Sequence, residues 1–278
     1  MISFLPPQAK AIGAVNTIVK DPSTGKLLGD NTDWIGIRDA VRAKLQRVAR
    51  KQKNGSNRSG GNASPAAKIV SSPLSPANIK MNVTMGPGTS PNRGNGPAYL
   101  PSVFGGTAAR ESTFVPAAGL VVGAGGTARA ACFALVKMGC RDIRIFNRTK
   151  SKAVALAKEF PNTRAVEELT SAGGMRGVEI VLCTVPAAAQ FVLPAGAWAV
   201  DSNPPKVVLD AAYRPRETRL LEQARISGGA GVARVEGIDM LIMQGYGQLR
   251  RWTGKRELTP AVRAAVSRSV RQYYAESA

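Results

Sequence analysis

The residues with the clearest chemistry are Gly123-Ala124-Gly125-Gly126-Thr127-Ala128, set directly after an apolar run at 119–122 and directly before a helical pattern. The spacing is G-x-G-x-x-A. After a strand and before a helix, Gly123 permits a tight turn and Gly125 lets backbone amides approach a pyrophosphate. The small Ala128 lets the helix pack closely on its sheet, with its N-terminal amides facing the anion. The end of the next strand decides which dinucleotide fits. A site selective for an unphosphorylated ribose places a carboxylate there. Here the chain runs Asn147-Arg148-Thr149-Lys150-Ser151-Lys152, with no acid. Arg148, helped by Lys150 or Lys152, can stack on adenine and neutralise a 2′-phosphate. Lysines in the first turn of a helix otherwise oppose its dipole. The pattern therefore predicts NADP rather than NAD.

Other chemistries are excluded by composition. The 278 residues include no histidine, so a Ser-His-Asp or Cys-His mechanism and any His-ligated metal site are ruled out, and no metal is expected. The cysteines, Cys132, Cys140 and Cys183, have no C-x-x-C spacing and lie among apolar or small neighbours. They read as buried, reduced thiols in a cytoplasmic compartment. No run reaches the ~18–20 apolar residues that span a bilayer.

The elements that must position the loop alternate between strand and helix. Apolar runs at 119–122, 143–146, 178–183 and 207–212 read as buried strands, and helical patterns at 127–139, 151–160 and 218–226 separate them. That alternation predicts an α/β fold, a Rossmann-type doubly wound parallel sheet, over 119–236. Two helices are expected over 237–278. One starts at Gly237 and buries Ile238, Leu241, Ile242 and Leu249, and one after Thr259-Pro260 carries Val262, Val266, Val270 and Tyr273 on a packed stripe. Residues 1–43 hold one strand-like piece, AIGAVNTIV, a turn at 21–25 and a helical start near Thr32.

The formal net charge is +20, and residues 44–118 hold ten Lys/Arg against one acid, Glu111. Large apolar residues are sparse there and Gly, Ser, Asn and Pro are dense, which predicts a basic, mostly disordered insertion. Such a tract can touch nucleic acid, but it lacks aromatic interleaving beyond Tyr99 and Phe104 and reads better as a solvated linker.

Outside the glycine loop, several motifs follow in fixed order: GAVNT at 13–17, GDNTDW at 29–34, DAAYRP at 210–215, EGIDML at 236–241, and QGYGQLRRWTG at 244–254. The set resembles the shikimate dehydrogenase family. With CTVPA at 183–187, it is similar to the fungal branch that contains the last domain of the pentafunctional AROM polypeptide and the quinate repressor. The resemblance covers residues 9–43 and 119–276. It implies NADP-dependent reduction of 3-dehydroshikimate to shikimate, with other domains of the shikimate pathway as partners in a longer polypeptide and no membrane partner. By the same resemblance, Asn16 and Asp33 hold substrate hydroxyls, Asp33 pairs with a catalytic lysine, and Tyr213 and Gln244 reach the substrate from the other side. Gly123 to Ala128, with Asn147, Arg148 and Thr149, hold the cofactor, and Gly237 lies near the nicotinamide. Residue by residue, Asn16 and Asp33 also read as turn and helix-cap residues, Tyr213 as a packed aromatic, and Gln244 as an exposed helix position.

Departures from the family matter equally. Relatives carry, before GAVNT, a serine motif for the substrate carboxylate and an NVT-x-P-x-K segment with the catalytic lysine. This sequence shows neither ahead of Asn16, so residues 1–43 read as the remnant of a substrate lobe. Ala211 stands where relatives place a methionine. Two functions stay open: an incomplete NADP-dependent enzyme, or a quinate- or shikimate-sensing regulator without chemistry, nuclear rather than cytoplasmic in that case.

Overall fold

The computed structural model describes residues 2–56, 115–170, 173–198 and 205–276. Six parallel strands form its main sheet: β3 (Ala118–Val122), β4 (Asp142–Phe146), β5 (Thr163–Ala165), β6 (Ile180–Cys183), β7 (Val207–Asp210) and β8 (Ala233–Val235). Their spatial order is β5-β4-β3-β6-β7-β8. The chain thus leaves β3 in one direction through β4 and β5, then returns to β3's other side for β6. The expected Rossmann-type sheet is present.

Alternation along each strand explains why both faces are covered. In β6, Ile180 and Leu182 enter one core with Val121, Ile143 and Leu209, whereas Val181 and Cys183 enter the other with Leu120, Val122 and Val208. Period-two side chains that are apolar on both faces need a layer on each. One layer includes α3 (Gly126–Lys137) and α4 (Lys150–Ala157), and α5 (Arg219–Ser227) supplies part of the other.

Ahead of the sheet stand α1 (Pro7–Ile12), the antiparallel pair β1 (Thr17–Lys20) and β2 (Leu27–Asp30), and α2 (Asp33–Ser56). Residues 11–12, expected in a strand, end α1 instead. Pro7 occupies its first turn, Gly13 caps it at φ 69°, and Ala9 and Ile12 are buried. The expected insertion boundary at 43 also moves, because α2 runs on to Ser56, beyond the start of the basic tract. Residues 57–114, which hold most of the tract read as disordered, lie outside the described residues.

Two helices complete the chain, α6 (Gly237–Thr253) and α7 (Pro260–Glu276). Ile238 and Ile242 are buried as expected, while Leu241 and Leu249 are only half-buried. The packed stripe expected on α7 is not found. None of its residues is buried, and Val262 and Tyr273 are 39% and 60% exposed. No helix among the described residues is long and apolar enough to cross a membrane.

One polar side chain is deeply enclosed in the sheet. Arg144 of β4 bonds Asp142 through Nε (2.9 Å) and Nη2 (2.7 Å), and its Nη1 donates to the Gly174 carbonyl at 3.0 Å. Arg144→Met keeps the aliphatic stem but strands these acceptors, so it should cost about 1.5–3 kcal/mol. A lowered urea midpoint at unchanged slope would measure this.

Candidate functional site

Strands β3 and β6 are neighbours whose following segments diverge, and the glycine loop occupies the gap at their carboxyl ends. Gly123 donates its N–H to the Phe146 carbonyl at 2.8 Å, and the Thr184 N–H bonds the Val122 carbonyl at 2.9 Å. The Thr184 hydroxyl also reaches the Val122 carbonyl (2.8 Å) and fills the space a Cβ on Gly123 would need. With φ 115°, Gly123 takes a backbone conformation that side chains rarely adopt. The loop then opens α3, capped by Gly125 in extended conformation, with Ala128 fully buried against the sheet and Thr127 half-buried.

A cleft of about 210 Å³ opens over this loop, lined by Ala124, Gly125, Asn147, Arg148, Thr149 and Lys152. Asn147 Nδ2 bonds the Thr149 carbonyl at 2.9 Å and shapes the turn that leads into α4. The two lysines separate here. Lys152 lines the cleft, whereas the Lys150 ammonium pairs with Glu167 at 2.7 Å. Backbone amides at a helix start, two cations and no acid among the lining residues suit a phosphorylated ribose.

A second cluster forms where β1, α2 and α6 meet. Asn16 Nδ2 donates to Asp33 Oδ1 at 2.7 Å and to Gln244 Oε1 at 3.0 Å. Its Oδ1 accepts from the Thr32 N–H (2.8 Å) and the Thr17 hydroxyl (2.8 Å), and the Thr32 hydroxyl lies 3.2 Å from Gln244 Oε1. Asp33 is not the cap of α2. The cap position is Thr32, whose carbonyl accepts the Gly36 N–H at 3.1 Å, and Asn31 Oδ1 accepts the Asp33 N–H at 3.0 Å in the turn before the helix. The Asp33 carboxyl is left to face Asn16, and burial raises its pKa against the lowering effect of that hydrogen bond. None of the ion pairs among the described residues includes Asp33. Gln244, legible from sequence as an exposed helix position, is half-buried in the network.

Gly237 and Tyr213 bound a third region. A Cβ on Gly237 would collide with the carbonyls of Ala211 and Ala212, so the start of α6 touches the backbone after β7 directly. Asp210 fixes that turn by accepting from Ala212 N (3.1 Å) and the Thr218 hydroxyl (2.7 Å). Tyr213 takes no part in the Asn16–Asp33–Gln244 bonding, and its ring lies against Tyr274 of α7.

Sequence reasoning missed Arg129. From the first turn of α3 it donates Nε to the Ile12 carbonyl at 2.5 Å, pairs through both terminal nitrogens with Glu159, and lies over the Phe160 ring. It ties the end of α1, four residues before Asn16 of the second cluster, to the helix that presents the glycine loop. A cation in a helix's first turn opposes the dipole, and that was the available signal. The cysteines are buried and free, and burial raises the Cys132 pKa to about 12, so it is no thiolate nucleophile.

Fold and loop together define a Rossmann-type protein of the dinucleotide-binding class. Residues 108–219 match the family described as Shikimate / quinate 5-dehydrogenase. The chain is 30% identical to the pentafunctional AROM polypeptide of Komagataella phaffii over 260 residues, 91% of this chain and 12% of that polypeptide. It is 41% identical over 138 residues to the shikimate dehydrogenase (NADP(+)) of Haloarcula marismortui, covering 49% of each. Shikimate 5-dehydrogenase from Thermus thermophilus, solved with NADP(H) and shikimate, superposes with TM-score 0.58 at 26% identity, over 97% of this chain and 73% of that one. The chain belongs to the shikimate dehydrogenase family, and it spans only 12–13% of the length of the first AROM relatives it matches.

The raised pKa of Asp33 sets a pH dependence. The folded state holds this proton more tightly than the unfolded state, so stability falls as pH rises from the ordinary carboxylate value through the raised one. Above that window the cost of the enclosed charge is fully present. Asp33→Asn should therefore raise the melting temperature near neutral pH, with the gain vanishing well below the ordinary carboxylate range, and thermal melts at the two pH values would test both halves.

Proposed function

We propose that the chain binds NADP at the Gly123–Ala128 loop and a shikimate-type polyol at Asn16, Asp33 and Gln244. The reaction is the interconversion of 3-dehydroshikimate and shikimate. The observation that carries this reading is the cleft that joins Arg148 and Lys152 to the glycine loop, with no acid in its lining. Arg148 and Lys152 hold the 2′-phosphate, Asn147 and Thr149 shape the ribose side, and Gly237 leaves room for the nicotinamide end. When bound, the dinucleotide supplies the hydride that the carbonyl carbon takes up, and the carbonyl oxygen takes a proton.

The residues of this chain then orient the ring. Asn16 and Gln244 offer a neutral donor and acceptor to vicinal hydroxyls, and Asp33 accepts from a hydroxyl or holds a proton near the reacting oxygen. Its raised proton affinity supports that role. A lysine beside Asp33, as in the family, would be the stronger donor, and loss of a positioned acid commonly removes about 10²–10⁴ in rate. The absence of any ion pair to Asp33 among the described residues favours a second reading: a sensor that binds quinate or shikimate without turnover. Buried free thiols accord with a cytoplasmic setting, and the AROM relatives make other domains of the same pathway the expected partners.

One assay separates the readings. The purified chain is mixed with NADP and shikimate, NADPH absorbance is followed, and binding is measured by calorimetry. Turnover above an Asp33→Asn control establishes the enzyme, binding of both ligands without turnover establishes the sensor, and absence of NADP binding by folded protein overturns both.

Specificity gives a further expectation. Lys152→Glu should weaken NADP binding about tenfold, the loss of one charge-assisted hydrogen bond, and leave NAD binding nearly unchanged. Lys150→Glu should change NADP affinity far less, because Lys150 is engaged with Glu167.

A further inference from the structure

The helix α7 has no buried residue, so core packing does not account for its placement. Its described contacts are specific ones. Arg271 bonds Asp239 at 2.5 Å, the Arg263 carbonyl accepts from the Tyr246 hydroxyl at 2.8 Å, and the last turn carries two tyrosines to the loop after β7. The Tyr274 ring meets Tyr213 edge to face, with centroids 5.3 Å apart at 72°, and meets Tyr273 at 5.1 Å and 88°. The Arg214 guanidinium lies 4.9 Å from the Tyr274 centroid and 5.8 Å from that of Tyr273.

The backbone beneath Tyr213 is already fixed by Asp210, Thr218 and the close approach of Gly237. The side chain is not: Tyr213 is 41% exposed. A half-exposed tyrosine on a held backbone still samples several χ1 wells. An edge-to-face ring partner, itself braced by a cation on its face, selects one of them. Burial raises the pKa of the Tyr274 hydroxyl, with the neighbouring Tyr213 adding to it, so the Tyr274 ring stays uncharged near neutrality.

We propose that Tyr274 is a positioning residue for Tyr213: the last turn of α7 sets the rotamer in which Tyr213 faces the substrate. This rests on the reading of Tyr213 as a substrate-side residue, and its test is arranged so that the two can fail separately. Full-length chain carrying 3-fluorotyrosine at position 213 is prepared as wild type, Tyr274→Phe and Tyr274→Ala. Fluorine NMR reads the ring's surroundings, and calorimetry reads shikimate and NADP affinity. Tyr274→Phe keeps the ring contact and should leave the resonance and both affinities within about twofold of wild type. Tyr274→Ala should move the resonance to that of a solvated tyrosine and weaken shikimate about threefold to tenfold, with NADP binding unchanged. An unmoved resonance in Tyr274→Ala, or equal loss of both ligands, overturns the proposal. If wild-type chain binds no shikimate while the resonance moves as described, the positioning role stands and the substrate reading of Tyr213 falls.

Discussion

The molecule depends on a parallel sheet in which two adjacent strands send their chains to opposite sides. Between β3 and β6 there is consequently a gap at the carboxyl ends. A loop entering that gap must turn within one residue of its strand, next to the side chain that follows the neighbouring strand. Gly123 over Thr184 meets this demand, and backbone amides at the start of α3 are then held open toward the cleft. The remaining features of the cleft follow from that turn. The register of β4 on β3 places Phe146 beside Val122, which brings Asn147 and Arg148 to the same rim as the loop.

The polar cluster around Asn16 obeys a different constraint. Four polar side chains, Asn16, Thr32, Asp33 and Gln244, are brought together from three parts of the fold and bond one another. Asn16 is the hub because its amide can donate and accept at once: it gives to a carboxylate and a glutamine while taking from a hydroxyl and a backbone amide. Such a network is rigid when complete and costly when a member is missing. Asp33 is the member with spare capacity, a largely enclosed carboxylate with a single side-chain donor in the described network. Spare acceptor capacity on a carboxylate is what a ligand hydroxyl or an ammonium group satisfies.

Arg129 links the two regions by bonding the last carbonyl of α1 while its ion pair holds Glu159, two residues past α4. Helix α3 and the segment that leads to Asn16 are therefore braced to each other by one guanidinium. Its fork of donors serves a carbonyl and a carboxylate together, which a lysine's single ammonium could not do in the same geometry.

Much of this was legible in the residues. Continuous apolar runs marked the four inner strands, because a strand buried on both faces must be apolar throughout. Glycine spacing located the turn between β3 and α3, and the absence of an acid after β4 was legible in the residues that line the cleft. The edge strands β5 and β8 were not legible: Thr163-Arg164-Ala165 and Ala233-Arg234-Val235 have no apolar run, and only their neighbours' unpaired backbone groups make them strands. Nor was the division between Lys150 and Lys152, since it depends on where Glu167 falls across α4. Local sequence thus determined which segments could be buried and where the chain could turn at glycine, because those are properties of side-chain type and backbone sterics. Tertiary structure alone decided which polar side chains meet. Asn16 and Gln244 lie far apart along the chain, and hydrogen bonds between them exist only once β1 and α6 have packed.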